Sequence, residues 1–167
     1  MIYFIETQKF KQWWIWLILL IPFVSSIIAL YNSPPDFSNS ATLSSTLGGL
    51  VAVSVTALLL FSFTLKTEIN QTGISYRFIP FHFKMKTIEW SEIQDCYVRE
   101  YKPLFEYGGW GIRYSFRNGK AYNTMGNKGL QLILKNNKQL LIGTQKEEEL
   151  TKIIEQLKKQ NILKANA

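Results

Sequence analysis

Trp14–Tyr31 reads WIWLILLIPFVSSIIALY and Leu47–Leu65 reads LGGLVAVSVTALLLFSFTL, and neither run contains a charged residue. A helix rises 1.5 Å per residue, so about 20 apolar residues cross the ~30 Å hydrocarbon core of a bilayer, and both runs come close to that length. They predict a transmembrane α-hairpin with spans at 13–31 and 45–65, an external loop at 32–44 and a lead-in at 1–12. The partner expected for this part of the chain is the lipid bilayer.

The flanks set an orientation. Lys9 and Lys11 precede the first run, Lys66 follows the second, and 32–44 carries only Asp36. The positive-inside bias then places both termini in the cytoplasm, at the inner (plasma) membrane of the cell. Trp13, Trp14 and Trp16 are expected interfacial anchors together with Lys9, Lys11 and Lys66. Val24-Ser25-Ser26 offers a cleavage site to a competing signal-peptide reading, but the apolar run continues to Leu30, beyond the usual h-region, and retention is expected. Ser44, Gly48, Ala52 and Thr56 recur every fourth residue, a small-residue stripe suited to close helix packing. Neither run holds an Asp, Glu, Lys, Arg or His, which argues against an ion or proton path.

The remainder reads differently. Mean hydropathy is −0.02 with 47% apolar residues, an average over a greasy third and an ordinary globular portion. From Lys66 onward about 100 residues remain, enough for one core. Seventeen Lys and Arg face ten Asp and Glu after Leu65, so the net charge of +7 sits there. Apolar and polar residues alternate in Lys66–Asn70, Ile74–Phe78, Phe81–Lys86, Asp95–Tyr101, Trp110–Arg117, Lys120–Thr124, Gly129–Lys135 and Lys138–Thr144, each predicted as a strand. Gln71-Thr72-Gly73, Asn118-Gly119, Gly126-Asn127-Lys128-Gly129 and Asn136-Asn137 supply the turns of an antiparallel meander. Leu150, Ile153, Ile154 and Leu157 then fall at helical spacing, and Thr144 with Glu147 predicts a capping box.

Strands closed by one amphipathic helix look like a pleckstrin-homology-like (PH-like) domain. The chain more closely resembles small bacterial membrane proteins that carry a bacterial PH domain after a two-helix hairpin, on FIETQKFKQWW (Phe4–Trp14), TIEWSEI (Thr87–Ile93), YGGWGIR (Tyr107–Arg113) and LLIGT (Leu140–Thr144). The resemblance implies a mainly-β barrel of about seven antiparallel strands over 66–163, with a tail at 164–167. It implies a fold and topology, not an activity. The hairpin turn Asn70–Gly73 lacks the clustered cations of phosphoinositide-binding PH domains.

Catalytic chemistry finds no support. His82 is the single histidine and Cys96 the single cysteine, so no metal-ligand spacing exists, and no GxSxG elbow occurs. Gly108, Gly109 and Gly111 match neither nucleotide-binding spacing and suit a bulge or a close backbone crossing. Alternation instead predicts an outward surface of Tyr97, Arg99, Tyr101, Arg113 and Arg117, with Cys96, Val98, Ile112, Tyr114 and Phe116 inward. Such a surface suits a protein partner or an anionic headgroup through charge-assisted bonds and cation-π contacts. Nucleic acid is not expected, since no recognition motif appears. The chain therefore reads as a non-enzymatic, two-pass membrane protein presenting a PH-like binding or scaffolding domain, with no cofactor. A structural subunit of a larger membrane complex is the alternative, and an enzyme with an unfamiliar site a third class.

Overall fold

The computed structural model describes residues 2–10, 13–32 and 40–160. The chain divides into two compact units, Met1–Phe10 with Phe63–Ala167, and Lys11–Ser62.

The smaller unit holds α1 (Trp13–Asn32) and α2 (Ser40–Ser62). Among the described residues, no helix is long and apolar enough to cross a membrane. That finding overturns the transmembrane hairpin, the two-pass topology and the cell-membrane location expected from the sequence. α1 contains Pro22, whose carbonyl accepts from the Ser25 and Ser26 hydroxyls, and in α2 the Ser54 and Thr56 hydroxyls donate to the carbonyls of Leu50 and Ala52. Leu20, Ile21, Ile27 and Ile28 on α1, and Val51, Val55 and Leu58 on α2, are exposed. The loop expected at 32–44 lies outside the described residues from 33 to 39, as do Lys11 and the tail at 164–167. Trp13, Trp14 and Trp16 fall in α1 and Ser44 in α2, with side chains outside the described residues, while Gly48, Ala52 and Thr56 are exposed.

The larger unit contains two sheets. The first has the order β1 (Ile2–Lys9), β2 (Thr64–Asn70), β3 (Gly73–Ile79), β4 (Lys86–Glu89), all antiparallel. The second runs β5 (Ile93–Glu100), β8 (Lys128–Leu134), β9 (Gln139–Gly143), β7 (Gly119–Asn123), β6 (Gly111–Ser115), and its β7–β9 pair is parallel. This corrects the expected seven-stranded antiparallel barrel: the described residues form two sheets of four and five strands, a mixed α/β arrangement with one C-terminal helix.

Local chemistry explains the differences. Residues 2–9, read as a lead-in, form a strand because Phe4, Glu6 and Gln8 alternate inward while Ile5, Thr7 and Lys9 face out. Phe81–Lys86 does not form a strand. Pro80 has no amide to extend the ladder beyond Ile79, the His82 amide turns back to the Phe78 carbonyl at 2.7 Å, and Phe81 and Phe83 are exposed. Pro103 opens a short α3 (Pro103–Tyr107), which Gly108 ends in the left-handed region at φ 70°. The glycines around Trp110 thus begin as a helix stop.

Leu65, Ile69, Ile74 and Phe78 of the first sheet face Cys96, Leu130, Leu132 and Ile142 of the second in one core. Leu150, Ile154 and Leu157 of α4 (Glu147–Lys159) are buried in the same core, and Lys158 pairs with Asp95 on β5 at 2.7 Å. The expected Thr144–Glu147 capping box is absent, because Thr144 is committed elsewhere. Its hydroxyl donates to Glu6 at 2.7 Å and accepts from the Lys146 amide at 3.0 Å, and Lys146 is the N-cap residue. The Gln145 amide donates to the other Glu6 oxygen at 2.8 Å. Beside it, the Gln8 amide donates to the Gly143 carbonyl at 2.6 Å and Gln8 accepts from the Thr124 hydroxyl at 3.0 Å.

Glu6 and Gln8 are buried, and unsatisfied buried polar groups are costly. Replacing Glu6 with Gln turns an amide toward donors that need an acceptor, so Glu6→Gln should cost about 1–3 kcal/mol in urea unfolding. Thr7→Ala, on the outward face of the same strand, should stay within about 0.5 kcal/mol of the parent. Equal effects of the two would contradict this placement.

Candidate functional site

The second sheet has two faces, and α3 lies against the outer one. Tyr101, Tyr107, Ala121 and Leu141 form a small second core there. Arg99 reaches across it, its guanidinium donating to both Glu106 oxygens at 2.8 and 3.3 Å and its Nε to Gln131 at 3.0 Å. Tyr101 is buried, accepts from Asn123 at 2.9 Å, and has its phenol pushed up to about 12, chiefly by burial. Tyr101, expected on a binding surface, is thus inside the fold, while Arg99 is half-buried and engaged by Glu106 and Gln131. Tyr97 is partly exposed on β5, and Arg113 on β6 donates to the Trp110 carbonyl at 2.9 Å. β5 and β6 are opposite edges of the sheet, and α3 spans the face between them: Glu106 holds Arg99 and also accepts from Asn118, the neighbour of Arg117, at 3.4 Å. Lys9 ends β1 opposite Thr64, and Lys66 pairs with Glu68 at 2.6 Å.

Of the expected set, Arg117 alone lines a cleft found among the described residues. This cavity of about 500 Å³ opens between the two sheets, with Tyr76 and Ile88 from the first and Tyr114, Lys120, Leu134 and Leu140 from the second. Arg117 in the β6–β7 turn and Lys138 in the β8–β9 turn stand at its rim. None of the lining residues is acidic, and among the described residues Arg117, Lys120 and Lys138 form no ion pair. Hence three cations share one cleft without counter-charge.

Two close contacts fix its shape. Gly119 sits at φ 70°, and an added Cβ would land on the Gln139 carbonyl oxygen, so a glycine is needed for β7 to lie beside β9. On the other wall the Tyr76 ring packs 4.8 Å from Tyr122, and burial drives its phenol well above the usual range. His82 lies tilted beside the same pair, 5.3 Å from Tyr122, with Nδ1 buried and unbonded. Burial first, then the charges of Lys86 and Lys120, lower its pKa and favour the neutral ring.

Sequence reasoning missed Tyr76, Lys120 and Lys138 as neighbours. A signal existed: Lys120 follows the Asn118-Gly119 turn and Lys138 the Asn136-Asn137 turn, so each cation flanks a hairpin tip. Tyr114, expected inward, lies on the inner face but at the open edge, 62% exposed. Cys96 is buried in the core, and desolvation pushes its thiol up to about 12. Among the described residues no group of three His, Cys, Asp or Glu comes together to hold a metal. No family model matches the chain, and no curated protein matches it. Assignment of the site therefore rests on its geometry.

Two outcomes follow for stability. For Glu106, burial acts upward, but the Arg99 bonds and the Lys102 amide outweigh it and hold the carboxyl below its ordinary value. The resulting stability is complete above the unfolded carboxylate value, about 4.3, and is lost as pH falls through the lower folded one. Glu106→Gln should flatten the acid limb of the unfolding midpoint below about pH 4, and an unchanged limb would contradict the pair's role. Gly119→Ala should lower the thermal midpoint more than Gly126→Ala, since both residues have positive φ but only Gly119 meets neighbouring backbone. A reversed order would remove the close β7–β9 approach.

Proposed function

We propose that the chain is a non-enzymatic binding module whose recognition site is the cationic, aromatic cleft between the two sheets, and that its partner is anionic. The supporting observation is the juxtaposition of Arg117, Lys120 and Lys138 around a cavity with no lining carboxylate. Uncompensated cations in a concave, partly apolar wall strengthen the local positive field, and charge-assisted bonds to an anion gain from the reduced solvent. A cavity of this size lies within the range that holds small ligands or a side chain of a partner.

Binding of two probes tests this reading: pyrophosphate, a compact anion, and 8-anilinonaphthalene-1-sulfonate, an anion on an apolar body. At least one should bind the full chain, more weakly as salt rises. The double variant Lys120→Glu/Lys138→Glu should weaken that binding by about tenfold or more. Absence of binding by both probes, or binding indifferent to the variant, contradicts the proposal.

A second reading, a structural subunit of a larger assembly, is favoured by the large apolar side chains exposed along α1 and α2. Exposed apolar surface of this kind marks contact sites. Crosslinking of the full chain in cells should then give a discrete heavier species, and recovery of monomer alone counts against it.

A further inference from the structure

The inner face of the second sheet is graded from wet to dry along a single row of side chains, whose outer members Tyr114, Lys120 and Leu140 line the cleft. Tyr114 is paired with Lys120, Lys120 with Leu140, Leu140 with Leu132, and Leu132 with Cys96, across β6, β7, β9, β8 and β5 in turn. Directly paired residues project from the same face of a sheet. Along this row exposure falls from 62% at Tyr114, through the exposed Lys120, to 6% at Leu140 and 0% at Leu132 and Cys96. Ile88 and Tyr76 close the row from the other sheet, and Leu134 adds a further apolar wall. The cations are confined to the outer part: Lys120 in the row, Arg117 and Lys138 in the two turns.

We propose that the cleft takes an amphiphilic organic anion, a single carboxylate, sulfate or phosphate head on an apolar acyl or aryl body. The head meets Lys120, Lys138 and Arg117 at the rim. The body lies inward against Tyr76, Ile88 and Leu140. This specifies the ligand class for the binding reading above and rests on it. A compact inorganic anion would leave the apolar inner wall uncovered, and a neutral apolar molecule would leave three cations without a partner. Only a ligand with both parts satisfies the gradient.

Calorimetric titration of the full chain with acetate, butanoate, hexanoate and octanoate reads the body directly. Affinity should rise roughly fourfold per methylene buried, until the cleft is filled. Octan-1-ol and octylammonium should each bind at least about tenfold more weakly than octanoate. In Lys120→Met/Lys138→Met, which keeps the side-chain bulk and removes charge, octanoate should lose about tenfold while octan-1-ol is unchanged. A flat acid series alongside tight pyrophosphate binding overturns the amphiphile and leaves the anionic binding site standing. Octan-1-ol equal to octanoate, or octanoate unaffected by the double variant, overturns the amphiphile; no binding by any acid, by pyrophosphate or by 8-anilinonaphthalene-1-sulfonate overturns the amphiphile and the anionic site together.

Discussion

A buried carboxylate and a buried carboxamide on the first strand hold the larger unit together. Glu6 receives the Thr144 hydroxyl and the Gln145 amide, while Gln8 bonds the Gly143 carbonyl and the Thr124 hydroxyl. These bonds join groups separated by 116 to 139 positions in the chain. Their donors and acceptors leave water together on folding, so none of them can be lost without stranding another. The same contacts settle how α4 starts. With Thr144 engaged by Glu6, the helix begins at Glu147 behind Lys146, and its apolar stripe reaches the core at Leu150, Ile154 and Leu157.

The parallel β7–β9 pair connects that fastening to the cleft. Both strands finish where Gln8 holds Thr124 and Gly143, and both start where Gly119, Lys120 and Gln139 line the cavity. One end of the two-sheet core is therefore tied by polar bonds, and the opposite end remains an opening. β9 is five residues long, so the two ends stand about 13 Å apart at 3.3 Å per residue. An antiparallel placement of β7 against β9 would have separated Lys120 from the β8–β9 turn that bears Lys138. Topology, not local sequence, concentrates the charge.

Much of the local structure was legible. Asn118-Gly119 and Asn136-Asn137 mark hairpin tips, and Leu150, Ile154 and Leu157 mark the buried face of α4, because turns and helical period are decided by near neighbours. β1 was hidden by its own inward face, where two of three residues are polar and only a partner distant in sequence makes their burial tolerable. Phe81–Lys86 misled in the opposite way, alternating correctly while leaving Phe81 and Phe83 in solvent. The runs 14–31 and 47–65 predicted crossings that no described helix is long and apolar enough to make. The candidate site was the least legible part. Alternation set Tyr114 on the inner face, yet it could not say that β5 and β6 lie at opposite edges of the sheet. Edge and centre are properties of strand order, and strand order is non-local.

Hydrogen exchange of the full chain tests most directly whether the first strand is an integral part of the sheet unit. Protection in native proteins follows cooperative units, and a strand that is integral to a core opens with it. The β1 amides that bond β2, together with that of Gln145, should exchange as slowly as those of Leu130 and Leu132 in the centre of the second sheet. Rapid exchange on β1 and at Gln145, with β8 still protected, would contradict the account.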